Sequence, residues 1–199
     1  MEWWLIRHGW TEWNIERRYQ GHSDPELLPG EACGLSPLRA ELGETAFSAV
    51  FCSDLRRCRS TLEYISPELA AAASYDSRLR EMNFGAWEGR TYEMLKHISH
   101  YRNWIDNPQE VTPPGGEAWP EFAGRIKEIF AELDSFSRRL VLDNVEEPIL
   151  IVTHGGVISM LGTLLEPDSD GFWNAKWKTE PGKVLKVTYK IGEGYTQRK

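Results

Sequence analysis

The sequence predicts an α/β protein, a mostly parallel central sheet with helices on both faces. Short apolar runs bounded by turn residues recur along the chain, as buried strands do. Stretches with helical periodicity separate them, and strands alternating with helices build this class of fold. Two of the runs also end in the same His-Gly turn, at the place where open α/β sheets gather ligands.

Residues 2–6 form the first strand, Phe47 to Cys52 the second, and Ile149 to Val152 a third bounded by Pro148 and Gly155-Gly156. Val184 to Ile191 alternates apolar and polar positions, as a later strand with one more exposed face would. Between them, Ser53 is expected to cap a helix running to about Ile65 and ended by Ser66-Pro67. From Glu117 to Leu140, Phe122, Ile126, Ile129, Phe130, Leu133 and Leu140 recur at helical spacing and predict the longest amphipathic helix. The Pro/Gly loop from Asn107 to Gly116 introduces it. Another helix is expected from Gly155 to about Leu165, stopped by Pro167 and the polar stretch Asp168 to Gly171. The tail from Gly192 to Lys199 reads as polar and loose.

At 199 residues, 41% hydrophobic and 27% charged, the chain is long enough for one sizeable core. A formal charge of −7 argues against a general nucleic-acid binder. No apolar run reaches the length of a membrane span, and residues 1–6 lack the pattern of a signal peptide. Cys33, Cys52 and Cys58 form no metal-ligand or disulfide pattern, so a reducing, cytoplasmic setting is expected. The basic residues are unevenly placed. No lysine precedes Lys96, yet that stretch carries Arg7, Arg57 and eight other arginines. Their planar donor forks suit carboxylate or phosphate, or surface ion pairs.

The chemistry concentrates at strand ends. The first strand leads into Arg7-His8-Gly9 and the third into Thr153-His154-Gly155, with glycine allowing the chain to turn. One histidine so placed is usually structural; two in matching settings, one beside an arginine, suggest a shared pocket. Side chains on a helix lean toward its N-terminus, so Arg57 in the first turn after the second strand can reach over the sheet edge. Together Arg7, Arg57, His8 and His154 would make a cationic cage sized for a phosphoryl group.

With these residues assembled, the sequence resembles the histidine phosphatase superfamily, also called phosphoglycerate mutase-like. The resemblance rests on Leu5 to Asn14 (Leu-Ile-Arg-His-Gly-x-Thr-x-x-Asn) and Ser53 to Thr61 (Ser-x-Leu-x-Arg-x-x-x-Thr). It continues through Arg80 to Gly89, Pro113 to Glu117, and Thr153 to Gly156, in the family's order. It implies a three-layer α/β/α sandwich, a mostly parallel central sheet with a lid insertion over the carboxyl edge. Residues 1–199 would form one domain, with 86–120 as the lid. His8 would be the nucleophile that becomes phosphohistidine, and Arg7, Arg57 and His154 would hold the phosphoryl oxygens. Glu81 would donate the proton to the leaving oxygen and then activate water. Thr11, Asn14, Gln20, Gly21 and Gly155 would line the substrate pocket. No metal and no cofactor is implied, because the arginines supply the positive charge. The implied partner is a small phosphate monoester, with no nucleic acid and no membrane.

Trp10 stands where the family commonly has glutamate, and Met82-Asn83-Phe84-Gly85 departs from the mutase pattern. The phosphatase branches, broad-specificity or α-ribazole phosphatases, are the nearer match. A phosphomonoester hydrolase is therefore expected. A phosphoglycerate mutase-type phosphotransferase and a catalytically silent phosphate-binding module are the alternatives. Glu81 taken alone could instead pair with Arg80 or Arg78. Tyr92, Tyr101 and Trp104 could receive an apolar or planar leaving group, or pack the insert on the sheet. His97 and His100, read as three apart on one helix, lack a third metal ligand nearby and suggest an exposed polar face.

Overall fold

The computed structural model describes residues 1–167, 172 and 175–190. Five strands, β1 (Glu2–Arg7), β2 (Ala49–Ser53), β3 (Ser74–Asp76), β4 (Ile149–Thr153) and β5 (Val184–Thr188), form one sheet in the order β3-β2-β4-β1-β5. Strands β1 to β4 run parallel to one another, and β5 pairs antiparallel with β1. Ile191 and the tail from Gly192 lie outside the described residues, as does the stretch Asp168 to Gly171.

Eight helices accompany the sheet among the described residues. These are α1 (Glu12–Ile15), α2 (Ser36–Leu42), α3 (Arg56–Ile65), α4 (Pro67–Ala72), α5 (Tyr92–Leu95), α6 (Ser99–Asp106), α7 (Trp119–Leu142) and α8 (Gly155–Leu165). Alternation along the strands sorts the core into two layers. Trp3, Leu5, Ile149 and Ile151 face Phe122, Ile126, Ile129 and Leu133 of α7 and Val157, Ile158 and Leu161 of α8. Trp4, Ile6, Leu150 and Val152 face Leu38 and Leu42 of α2 and Cys58, Leu62 and Ile65 of α3. The result is the three-layer α/β/α arrangement.

A third cluster is separate. Trp87, Leu95, Tyr101 and Trp104 pack with Tyr19, Phe84 and Val111. Tyr101 and Trp104 therefore pack the segment against Tyr19 and Phe84, while Tyr92 stays 46% exposed. The two histidines do not share a helix: His97 sits in the turn before α6, and His100 lies 2.8 Å from the Thr112 carbonyl through Nε2.

Helix α3 begins later than its sequence suggests, and Ser53 is not its cap. The cap residue is Leu55, without a side-chain bond, and Asp24 from a distant loop accepts the N–H groups of Arg56 (2.7 Å) and Arg57 (3.4 Å). Ser66, expected only to end α3, also caps α4 by accepting the Leu69 N–H at 3.2 Å. Because β1, β2 and β4 are parallel, Arg7, Ser53 and Thr153 reach the same edge of the sheet.

Candidate active site

The site starts from strand ends. The register that pairs Arg7 with Thr153 brings the next residue of each strand, His8 and His154, side by side. Their ring centroids lie 5.3 Å apart at 60°. Arg57 reaches them from the first turn of α3, and His8, Arg57 and His154 are 3%, 0% and 1% exposed, so three of the four cage residues are buried.

Hydrogen bonds assign the protons. His8 Nδ1 lies 2.8 Å from the Gly9 carbonyl oxygen, which can only accept, so Nδ1 carries the hydrogen and Nε2 keeps a lone pair. The same turn is tied to α3: Gly9 N–H donates to Thr61 Oγ1 (2.9 Å), whose hydroxyl donates to the Arg57 carbonyl (2.7 Å). Arg57 Nη2 lies 3.1 Å from His154 Nδ1, and a guanidinium can only donate. His154 Nε2 therefore carries the proton and donates to Ser53 Oγ at 2.9 Å. Burial, then the positive charge of Arg57, pushes both imidazoles well below their ordinary 6.5. Both rings are neutral at pH 7.

Arg57 is also held by the carbonyls of Gly21 (2.8 Å, Nη2) and Ser23 (2.9 Å, Nη1), with Asp24 at 3.5 Å. Arg7 Nη1 donates to the Thr179 carbonyl at 2.8 Å. The Nε atoms of both arginines and Gln20 Nε2 are buried without a hydrogen-bond partner among the described residues. Buried donors left over around a cationic centre are what an oxyanion would satisfy.

Glu81 follows β3 and the short turn Ser77–Leu79, and its carboxylate accepts N–H groups from Gly156 (2.9 Å) and Met82 (3.1 Å). The arginines that could have claimed it are engaged elsewhere: Arg80 pairs with Asp54, and Arg78 with Asp76 and Glu132. Its backbone is fixed from α7, where Arg125 donates to the carbonyls of Arg78, Arg80 and Glu81 at 2.7, 2.6 and 2.9 Å while pairing with Glu117. Arg125 escaped the sequence reading because nothing local links it to Glu81, forty-four residues away.

Of the five expected pocket positions, Gly155 borders the large cavity beside Arg7. Thr11, Asn14, Gln20 and Gly21 do not line that cavity, and the Gly21 carbonyl holds Arg57. Thr11 caps α1 with Asn14, and its hydroxyl donates to Gln20 Oε1 at 2.7 Å. Trp10 lies against Gly34, away from that cavity. Cys58 Sγ is 3.5 Å from His154 Nε2, but burial pushes its thiol up to about 12, so it is no thiolate nucleophile.

The cavity has a volume of about 830 Å³. Arg7 and Glu81 stand in its wall together with the rings of Tyr19, Phe84, Trp104, Trp119, Phe122 and Phe172.

An α/β sheet that delivers two neutral histidines and two arginines to one edge, with a carboxylate beside them, defines a class of enzymes acting on phosphoryl groups. The family model of the histidine phosphatase superfamily (branch 1) matches residues 3–198, and the chain belongs to that family. Adenosylcobalamin/alpha-ribazole phosphatase of Salmonella typhimurium is 32% identical over 177 residues, 87% of this chain and 84% of that protein. A Salmonella paratyphi B protein named "Probable phosphoglycerate mutase GpmB" is 35% identical over 150 residues, covering 70% and 67%. The crystal structure of the alpha-ribazole phosphatase from Shigella flexneri superposes with a TM-score of 0.80 at 28% identity, covering 94% of this chain and 90% of that one. The chain is a phosphatase of this family. No helix of the described residues is long and apolar enough to cross a membrane.

Proposed function

We propose that the protein hydrolyses a small phosphate monoester through a phosphohistidine on His8, without a metal cofactor. The observation that carries this reading is the His8 ring itself. It is buried and neutral, Nδ1–H is held by the Gly9 carbonyl, and Nε2 keeps its lone pair beside two arginines. Such an imidazole attacks phosphorus without a separate base.

Nε2 of His8 forms a bond to phosphorus as the ester P–O bond breaks, and Glu81 gives its proton to the departing oxygen. Arg7 and Arg57 hold the equatorial oxygens, whose charge in transfer calls for fixed donors. The Glu81 carboxylate then takes a proton from water as that water attacks phosphorus. The P–N electron pair returns to Nε2 and inorganic phosphate leaves. With Nδ1 and Nε2 engaged by Arg57 and Ser53, His154 keeps Arg57 aligned in its neutral form.

The aromatic cavity next to Arg7 and Glu81 fits a planar apolar leaving group, and residues 86–120 act as the lid that walls it. The names of the alpha-ribazole phosphatases above fit such a substrate. A mutase reading draws on the GpmB relative. It requires isomerisation of 3-phosphoglycerate primed by a bisphosphate, and the apolar wall is poorly suited to that small, highly charged acid. The buried free thiols Cys33, Cys52 and Cys58 fit a cytoplasmic setting.

The test uses two primary alkyl esters with similar leaving oxygens, 2-(2-naphthyl)ethyl phosphate and ethyl phosphate, with EDTA present. Both are turned over, the naphthyl ester with kcat/KM higher by about tenfold or more. Loss of turnover in EDTA, or full turnover by His8→Ala, contradicts the reading.

A further inference from the structure

We infer that Glu88 is a positioning residue that sets Arg57 through the loop 21–23. This rests on the proposed role of Arg57 as a phosphoryl-binding group. Glu88 is half-buried and does not touch the cage. Its Oε1 accepts the N–H groups of His22 (2.8 Å) and Phe84 (3.0 Å), and its Oε2 accepts that of Ser23. One carboxylate thus gathers three backbone donors from two segments far apart in sequence.

Both segments lead into the site. The loop it clamps turns its carbonyls the other way: Gly21 O and Ser23 O receive Nη2 and Nη1 of Arg57 at 2.8 and 2.9 Å. The Gly21–His22 peptide is held by the Glu88 carboxylate through its N–H and holds the guanidinium through its carbonyl, and Ser23 bonds Glu88 through its own N–H and Arg57 through its own carbonyl. Phe84, the third donor, stands three residues after Glu81 and lines the cavity. Glu88 therefore fastens the arginine's support to the segment that carries the carboxylate.

Close packing at Gly21 supports the same conclusion. A Cβ built there would lie 2.3 Å from Glu88 Oε1 and 2.4 Å from the Met82 carbonyl. The loop can approach the carboxylate this closely only with no side chain at residue 21. Neutralising Glu88 by amide substitution puts an N–H group against at least one backbone N–H, so the loop must shift. A guanidinium displaced by less than an ångström grips a phosphoryl group poorly.

The experiment is a double-mutant cycle on the full chain, with inorganic phosphate as the probe of binding and kcat/KM for 2-(2-naphthyl)ethyl phosphate as the probe of turnover. Glu88→Gln weakens phosphate binding and lowers kcat/KM by about tenfold. Arg57→Lys weakens both more strongly. In the Arg57→Lys background, Glu88→Gln has little further effect, because the group it positions is gone. Equal effects of Glu88→Gln in both backgrounds overturn the inference, leaving Glu88 as a general support. If Arg57→Lys binds phosphate as the native protein does, the role of Arg57 itself falls. A second measurement does not depend on the variant folding. In the native protein the His22 and Ser23 amides exchange slowly with solvent, and unprotected exchange would show that the clamp does not form.

Discussion

The two halves of the site are built on opposite principles. The cage is polar and three of its four residues are buried, and Arg57 at its centre has two carbonyls, a carboxylate and an imidazole around it. The neighbouring cavity is wide, apolar and walled by rings drawn from segments around residues 19, 84, 104, 119 and 172. Over-determined geometry suits the shared phosphoryl step, where small displacements are expensive. A loosely shaped apolar wall suits recognition of the variable part of an ester, where van der Waals fit is enough. Changes in the cage should therefore depress all substrates alike, and changes in the cavity should act on some esters only.

The largest effect expected from a change beside the cage is at Glu81. Glu81→Gln lowers kcat for alkyl phosphates by about 10²- to 10⁴-fold, the usual contribution of a proton donor. Bond cleavage for p-nitrophenyl phosphate, whose leaving group needs no proton, is spared in a single turnover. Equal loss for both esters would remove Glu81 from the role of acid. In the cavity, Trp119→Ala lowers kcat/KM for the naphthyl ester by about tenfold and leaves ethyl phosphate near its native value. A uniform loss would mean that the aromatic wall supports the cage instead of reading the leaving group.

This division also explains what was legible in the sequence. Cage residues follow strand ends, so Arg7-His8-Gly9 and Thr153-His154-Gly155 announce themselves by local order, and parallel pairing of β1 with β4 brings them together. The long strands and helices α7 and α8 were visible through apolar periodicity. Short elements were not: β3 has three residues and is defined by pairing with β2, and α2 has only seven, with Leu38 and Leu42 as its buried side. Ser53 looked like a helix cap because serine before a helix usually is one. Instead Asp24 reaches in from a distant loop, and the Ser53 hydroxyl accepts from His154 and from the Leu55 N–H. Arg125 acts on Glu81, and Glu88 on His22 and Ser23, across tens of residues, through contacts that no local spacing encodes.

The smallest effects concern pH. Folded-state pKa values of His8 and His154 lie well below 6.5, mainly through burial. The unfolded chain takes up these protons first as pH falls below about 6.5, so folding stability declines through that range and is level above it. Replacing His154 with Gln flattens the dependence of Tm on pH between 7 and 5; an unchanged slope would contradict its burial as a neutral ring. The acid limb of kcat/KM attributable to His8 lies below pH 6.5 for the same reason.

The most direct measurement is to quench a single turnover under alkaline conditions and locate phosphorus on the protein by tandem mass spectrometry and NMR. Nδ1–H of His8 is held by the Gly9 carbonyl, so the label should sit on Nε2 of His8, stable to base and lost in acid. Phosphorus on Nδ1, on another residue, or on none while product forms at the native rate would contradict it.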